Sequence, residues 1–229
     1  MSISEKLTTI ADNQEKVYEA GKKSQYDEFW DSYQKNGTKV DHTCAFAYWD
    51  RTTFKPKYDI HCTCADRMFF GFSNPSDIVD LVDVLEKQGK TMDFTGCTRF
   101  YYAFYWAYIQ RLGTIDLSAS KTNEFAFETP YIQTIEKIIV SEETVFVSRT
   151  FHDASLKNIN AIEGKIGSNI WFSQCPLTKA SITNVVNALS NTTSGLTCTF
   201  NKTAKESAFT NSEWSALIET KKNWTFSLV

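Results

Sequence analysis

Apolar positions recur along this chain at a nearly constant step. Phe104, Phe127 and Phe151 are separated by 23 and 24 residues, and the same two steps separate Leu112, Ile135 and Ile159, and Ile115, Ile138 and Ile162. Three series sharing one step imply a unit that begins on a Phe and ends on branched aliphatics, as in LGTIDLS and IEKIIVS, with a further unit opening at Phe172. A unit this short cannot bury its own Phe and Ile. The pattern therefore predicts a solenoid, in which one short strand per coil stacks on the next. A longer repeat brackets the first. Ile78, Leu81, Val82 and Leu85 lead to Gly89, Met92 and Phe94, and Ile182, Val185, Val186 and Leu189 lead to Gly195, Cys198 and Phe200. Each block reads as an amphipathic helix stopped by a Gly and followed by a strand.

The remaining pattern divides the chain into residues 1–37, an N-terminal helix for attachment or coiled-coil assembly, and residues 38–229, the stacked units with their caps. Ser2 and Glu5 form a capping-box pair, and Ile3, Leu7, Ile10 and Val17 fall on one face at four-three spacing. That seam reads either as a coiled coil joining copies, as a trimer, or as a single amphipathic helix packed on its own domain. Tyr26, Phe29, Trp30 and Tyr33 continue the helix on a shifted face as far as Asn36-Gly37. From 38 to 75, alternation of Ala45, Ala47 and Trp49 with Phe46 and Tyr48, and breaks at Pro56 and Pro75, predict short extended pieces that cap the first coil. At the other end Trp214, Leu217 and Ile218 follow an Asn211-Ser212-Glu213 cap, and Trp224, Phe226 and Leu228 alternate as a last strand. The two Trp then cover the end of the core.

Arg67-Met68-Phe69-Phe70, TIEKIIVSEETVF, AIEGKIG, PLTKASITNVVNALSNTTSGLT and FTNSEWSALIETKKNWTFSLV, with the N-terminal ISEKLTTIADNQEKVYEAG, resemble the BspA-type leucine-rich-repeat proteins, in the short form carried by phages and prophages of gut bacteria. The resemblance covers nearly the whole chain. It implies an α/β repeat fold, a leucine-rich-repeat solenoid of short strands with a few helical coils, preceded by an N-terminal α-helix. It also implies a role in adhesion or surface recognition, with no enzymatic activity and no cofactor. Two homes are open. One is a virion, as a tail or head fibre or decoration assembled in the bacterial cytoplasm, its partners being sister copies, other virion proteins and a host-surface glycan or protein. The other is the bacterial cell surface, as an adhesin or stand-alone interaction module. Fold alone does not decide between them.

Composition narrows the field. A net charge of -3 supplies no basic patch of the kind nucleic acid requires. The first 16 residues lack the charged and apolar regions of a signal peptide, and no stretch reads as a membrane span, so membrane insertion is not expected. In a chain without an export signal the six Cys are expected to stay as thiols.

Two constellations could carry chemistry. His42, Cys44, His61, Cys62 and Cys64 offer zinc-type ligands, but at H-x-C and HC-x-C spacings rather than the C-x2-C of structural sites. A metal there competes with the reading of the Cys as small buried hydrophobes, and no metal site is assigned. The run from Arg99 to Tyr108 is the other. If Phe104 points inward, its neighbours cannot all do so. Tyr101, Tyr105 and Trp106, with Trp171 beside the inward Phe172, are then candidate ligand-binding residues, since Tyr and Trp stack on sugar rings and anchor interfaces. Packing against the N-terminal helix or a neighbouring copy is the competing account. No nucleophile-base pair emerges, and Gly89-Lys90-Thr91 lacks the earlier Gly of a phosphate loop.

Overall fold

The computed structural model describes residues 28–31 and 40–229. The seam residues Ile3, Leu7, Ile10 and Val17 lie outside the described residues. Among the described residues from Val40 on, eleven strands and four helices follow one another: β1 (Val40–Asp41), β2 (Ile60–Cys64), β3 (Val79–Asp80), α1 (Leu81–Lys87), β4 (Met92–Asp93), β5 (Ile109–Asp116), β6 (Thr134–Ile139), β7 (Asn158–Ile159), β8 (Ile162–Glu163), β9 (Ile170–Phe172), α2 (Lys179–Ala188), β10 (Leu196–Phe200), α3 (Lys202–Ala208), α4 (Asn211–Glu219) and β11 (Trp224–Leu228). Residues 28–31 are also helical.

Every named strand pair is parallel. Residues one step apart in sequence lie side by side: Leu112 pairs with Ile135 and Ile115 with Ile138, then Ile135 with Ile159 and Ile138 with Ile162. The expected leucine-rich-repeat solenoid is nevertheless corrected. The chain is a small α/β protein whose strands separate into three parallel sheets, β1-β2-β4, β3-β5-β6-β7 with β8 on β6, and β11-β10-β9. The reason is visible in the spacing. The 23- and 24-residue steps hold from Phe46 to Phe69 and from Phe104 to Phe151; the step is 35 from Phe69 to Phe104, where α1 is inserted, 21 from Phe151 to Phe172, and 28 from Phe172 to Phe200, where α2 is inserted.

A column of phenyl rings joins the three sheets into one core. Phe46, Phe69, Phe104, Phe127, Phe151, Phe172 and Phe200 are all buried, and successive ring centroids lie 5.2, 5.4, 5.6, 5.1, 4.8 and 6.1 Å apart. Trp30 stacks on Phe46 at one end (5.8 Å), and Trp214 meets Phe200 edge-on at the other (6.0 Å). The branched aliphatics of the strands pack beside the column, in β6 at Ile135 and Ile138, three residues apart. Close stacking leaves no room for a side chain at Gly164, whose φ is +92°: a Cβ there would lie 1.9 Å from the Val140 carbonyl oxygen.

The helices begin where polar side chains can serve the free N–H groups of the first turn. Asp80 caps α1, Thr178 α2 and Asn201 α3, while Thr210 and Glu213 form a capping box on α4. Two sequence expectations shift accordingly. Helix α1 starts at Leu81 rather than Ile78, because Val79 and Asp80 are bound to β5 as a strand, leaving Ile78 45 % exposed. The cap of α4 is Thr210 rather than Asn211. Residues 43–48, expected to be extended, are turns. At the C-terminal end Lys221 is buried, donating to the Leu189 carbonyl and to Asn191 Oδ1, and the Trp224 indole N–H donates to the Ser190 carbonyl. Among the described residues no helix is long and apolar enough to cross a membrane.

The phenyl column makes a direct prediction. Phe127→Ala or Phe151→Ala should cost about 3–5 kcal/mol in a denaturant titration, the range for emptying a close-packed aromatic site. A loss below about 1 kcal/mol would show that the rings are not the core.

Candidate functional site

The segments carrying Phe46, Phe69, Phe104 and Phe127 are tight turns rather than strands. A left-handed residue stands two positions before each of these rings: Cys44, Arg67, Tyr102 and Phe125, with φ between 52° and 58°. A second stands two positions after the first three, at Tyr48, Gly71 and Trp106. Outside Gly such a backbone costs on the order of 1–3 kcal/mol and persists only where the surroundings impose it. Here hydrogen bonds from turn to turn impose it. The N–H groups of Cys44, Phe46 and Tyr48 donate to the carbonyls of Asp66, Met68 and Phe70 (2.9, 2.8 and 2.9 Å). Those of Arg67, Phe69 and Gly71 donate to Tyr101, Ala103 and Tyr105, and those of Tyr102, Phe104 and Trp106 to Glu124, Ala126 and Glu128.

Turning the backbone this way sends the middle Phe into the core and its flanking side chains outward. The outward side chains form a second aromatic series on the surface. Tyr48 meets Phe70 edge-on (5.6 Å), Phe70 stacks on Tyr105 (5.4 Å), Tyr102 stacks on Phe125 (4.7 Å), and Tyr105 stacks on Trp106 (5.9 Å). Tyr102 also lies edge-on to Tyr101 and Tyr105. Two cations cover part of the series: the Arg67 guanidinium sits 5.7 Å from the Tyr102 ring and that of Arg149 5.0 Å from Phe125. Tyr48 and Trp106 are the most open members, at 74 % and 61 % exposure. A Cβ at Gly71 would lie 2.9 Å from the exposed Tyr48 ring, which would have to shift, and the residue's φ of +61° favours glycine. Cys44, Ala47, Tyr48, Arg67, Phe70 and Tyr102 enclose a groove of about 330 Å³. Asp66, buried, anchors the series from below: it accepts from the Tyr101 backbone N–H (2.9 Å) and pairs with Arg99.

Three of the four candidate ligand-binding residues, Tyr101, Tyr105 and Trp106, are therefore brought together. Trp171 is not among these rings; it is half-buried in β9, in the sheet formed with β10 and β11. Sequence reasoning placed Tyr102 among the residues of which some must face solvent, and missed Tyr48, Phe70 and Phe125 as members of the face. The available signal was spacing from the inward rings, since Tyr102 and Phe125 each precede one by two residues.

The five-residue His/Cys constellation does not converge. Strand β2 alternates, so Cys62 and Cys64 turn inward and His61 outward, where its Nδ1 lies 3.3 Å from Asp93. Cys62 Sγ packs 3.9 Å from Cys97 Sγ and 4.0 Å from Met68 Sδ, Cys64 Sγ lies 3.3 Å from Thr43 Oγ1, and Cys44 is exposed. The thiols of Cys62, Cys175 and Cys198 are held above their ordinary range, the first by its contact with Cys97 and by burial, the others by burial. All six Cys are free. No family model matches this sequence, and neither a curated protein nor a solved structure does.

His42 gives a pH-dependent test of this end of the molecule. It is buried and its ring stacks on Phe46 (5.8 Å); burial pushes its pKa down to about 4, against a backbone hydrogen bond at His61 and the Asp41 carboxylate, which pull it up. The unfolded chain binds this proton near the ordinary value of about 6.5, so the unfolded state is the one favoured by protonation. Stability is full above pH ~6.5 and falls by up to about 3 kcal/mol as the pH drops to 4. His42→Gln should flatten that part of the pH profile relative to the parent. An unchanged profile would show that His42 titrates freely.

Proposed function

We propose that this chain is a non-enzymatic recognition protein of a phage particle, which holds its outward aromatic series against glycan on a host cell surface. The observation that carries the reading is the unbroken contact of outward rings from Tyr48 through Phe70, Tyr105 and Tyr102 to Phe125 and Trp106. Each of these turns commits one ring to the core and leaves others at the surface. Tyr and Trp present rigid apolar faces with a polar edge, which suits the C–H face of a pyranose and its hydroxyl rim. The face offers stacking area in place of a nucleophile paired with a base. Its link to a virion rests on the resemblance of the chain's phrases to short phage-borne proteins. Attachment through Ile3, Leu7, Ile10 and Val17 as a homo-oligomer rests on their heptad spacing.

Purified protein should bind whole cells or cell-wall glycan of a host bacterium. The double change Tyr105→Ala and Trp106→Ala should weaken that binding about tenfold or more, a loss on the order of 1.4 kcal/mol, with an unaltered circular dichroism spectrum. Trp171→Ala should leave binding as it is. Binding that requires a surface protein and survives glycan removal would replace glycan with a protein partner. A parent that binds no host surface would end the receptor reading.

A further inference from the structure

Beside the aromatic face lies a separate pocket of about 470 Å³, walled by Trp106, Tyr108, Pro130 and Tyr131 and carrying two carboxylates, Glu128 and Asp153. The same backbone ladder builds it. Trp106 ends one turn and donates its N–H to the Glu128 carbonyl at the end of the next (3.1 Å), and Asp153 belongs to the turn after that. Tyr108 and Tyr131 stand one 23-residue step apart, just before β5 and β6, with ring centroids 4.3 Å apart. Thr129 between them is occupied, its hydroxyl donating to the Ala107 carbonyl (2.8 Å).

The charge in this pocket is poorly balanced. Glu128 and Asp153 share one imidazole, His152, whose Nδ1 lies 3.5 Å from Glu128 Oε2 and 3.3 Å from Asp153 Oδ2. Glu128 Oε2 is shielded from solvent and, apart from the His152 contact, has no hydrogen-bond partner among the described residues. Burial pushes the Glu128 carboxyl above its ordinary value, against the fields of His152 and Arg149, while Asp153 acts in the same direction as burial. Arg149 is turned to the Phe125 ring.

We infer that this pocket binds a protonated primary amine carried on a ring, as in an amino sugar. Aromatic faces attract a cation through their quadrupole, and a shielded carboxylate, Glu128, with an exposed one, Asp153, sharing a single imidazole, attracts it by charge. The ring that carries the amine covers the tyrosine and tryptophan walls. The volume is that of a small organic ligand. A bare divalent ion would also find ligands, since donor atoms of Glu128, His152 and Asp153 lie within 4.8 Å of one another. It would, however, leave the aromatic walls unused. The amine therefore accounts for both halves of the pocket.

The inference does not depend on the glycan reading of the neighbouring face, although Trp106 borders both. The test therefore uses Glu128→Gln and Asp153→Asn, which leave the outward rings in place. Calorimetry at neutral pH with glucosamine, glucose and N-acetylglucosamine should show glucosamine binding at least tenfold more tightly than its two uncharged counterparts. Each substitution should reduce that preference several-fold in protein whose circular dichroism and melting are those of the parent. Tyr131→Ala should weaken glucosamine and leave the charge preference in place. Equal affinity for all three sugars, no binding of glucosamine, or an undiminished preference in both carboxylate variants would overturn the inference. So would binding of zinc or calcium ions by the parent that glucosamine does not weaken, since the carboxylates would then belong to a metal.

Discussion

A column of phenylalanine rings is the constraint on which the rest of this structure depends. Each ring from Phe46 to Phe200 fills the space between its neighbours, so each segment that brings a ring must pass at the same height and in the same direction as the one before. Parallel pairing of every strand follows from that requirement. So does the tolerance for inserted helices: α1 and α2 lengthen the path between rings without displacing them. A close-packed interior punishes a missing ring, and the close approach of successive backbones punishes an added methyl group even at the exposed Gly164.

The surface face is a by-product of the same geometry. To aim a Phe inward from a tight turn, the chain places flanking residues in the left-handed region and sends their side chains out. In many proteins Gly or Asn would stand there. This chain instead places Tyr48, Tyr102, Trp106 and Phe125 there, accepting local strain that the ladder of backbone hydrogen bonds offsets. Large aromatic residues are a poor choice for a position whose only task is turning. Their presence supports a binding role for the face.

Part of this was legible in the sequence. The equal steps among Phe104, Phe127 and Phe151 and among the strand aliphatics correctly placed those residues beside one another, because side-by-side packing repeats whatever the backbone repeats. Tyr101, Tyr105 and Trp106 were legible as outward residues by exclusion from the core. The division into three sheets was not, since a 35-residue step hides the relation between Phe69 and Phe104. Nor were the turns: Cys44, Arg67 and Tyr102 carry no propensity for the left-handed region, and only contacts with the next turn impose it. The pocket joins Trp106 to Asp153, 47 positions apart, and no local motif marks such a pair.

The central claim is that the turns are bonded to one another as firmly as the strands. Native-state hydrogen exchange tests it most directly. The amides of Phe46, Phe69, Phe104 and Phe127, each donating to the following turn, should exchange within about tenfold of the rates of the strand amides between Ile109 and Asp116. Exchange of the turn amides near the unprotected rate, with the strands still protected, would contradict the account.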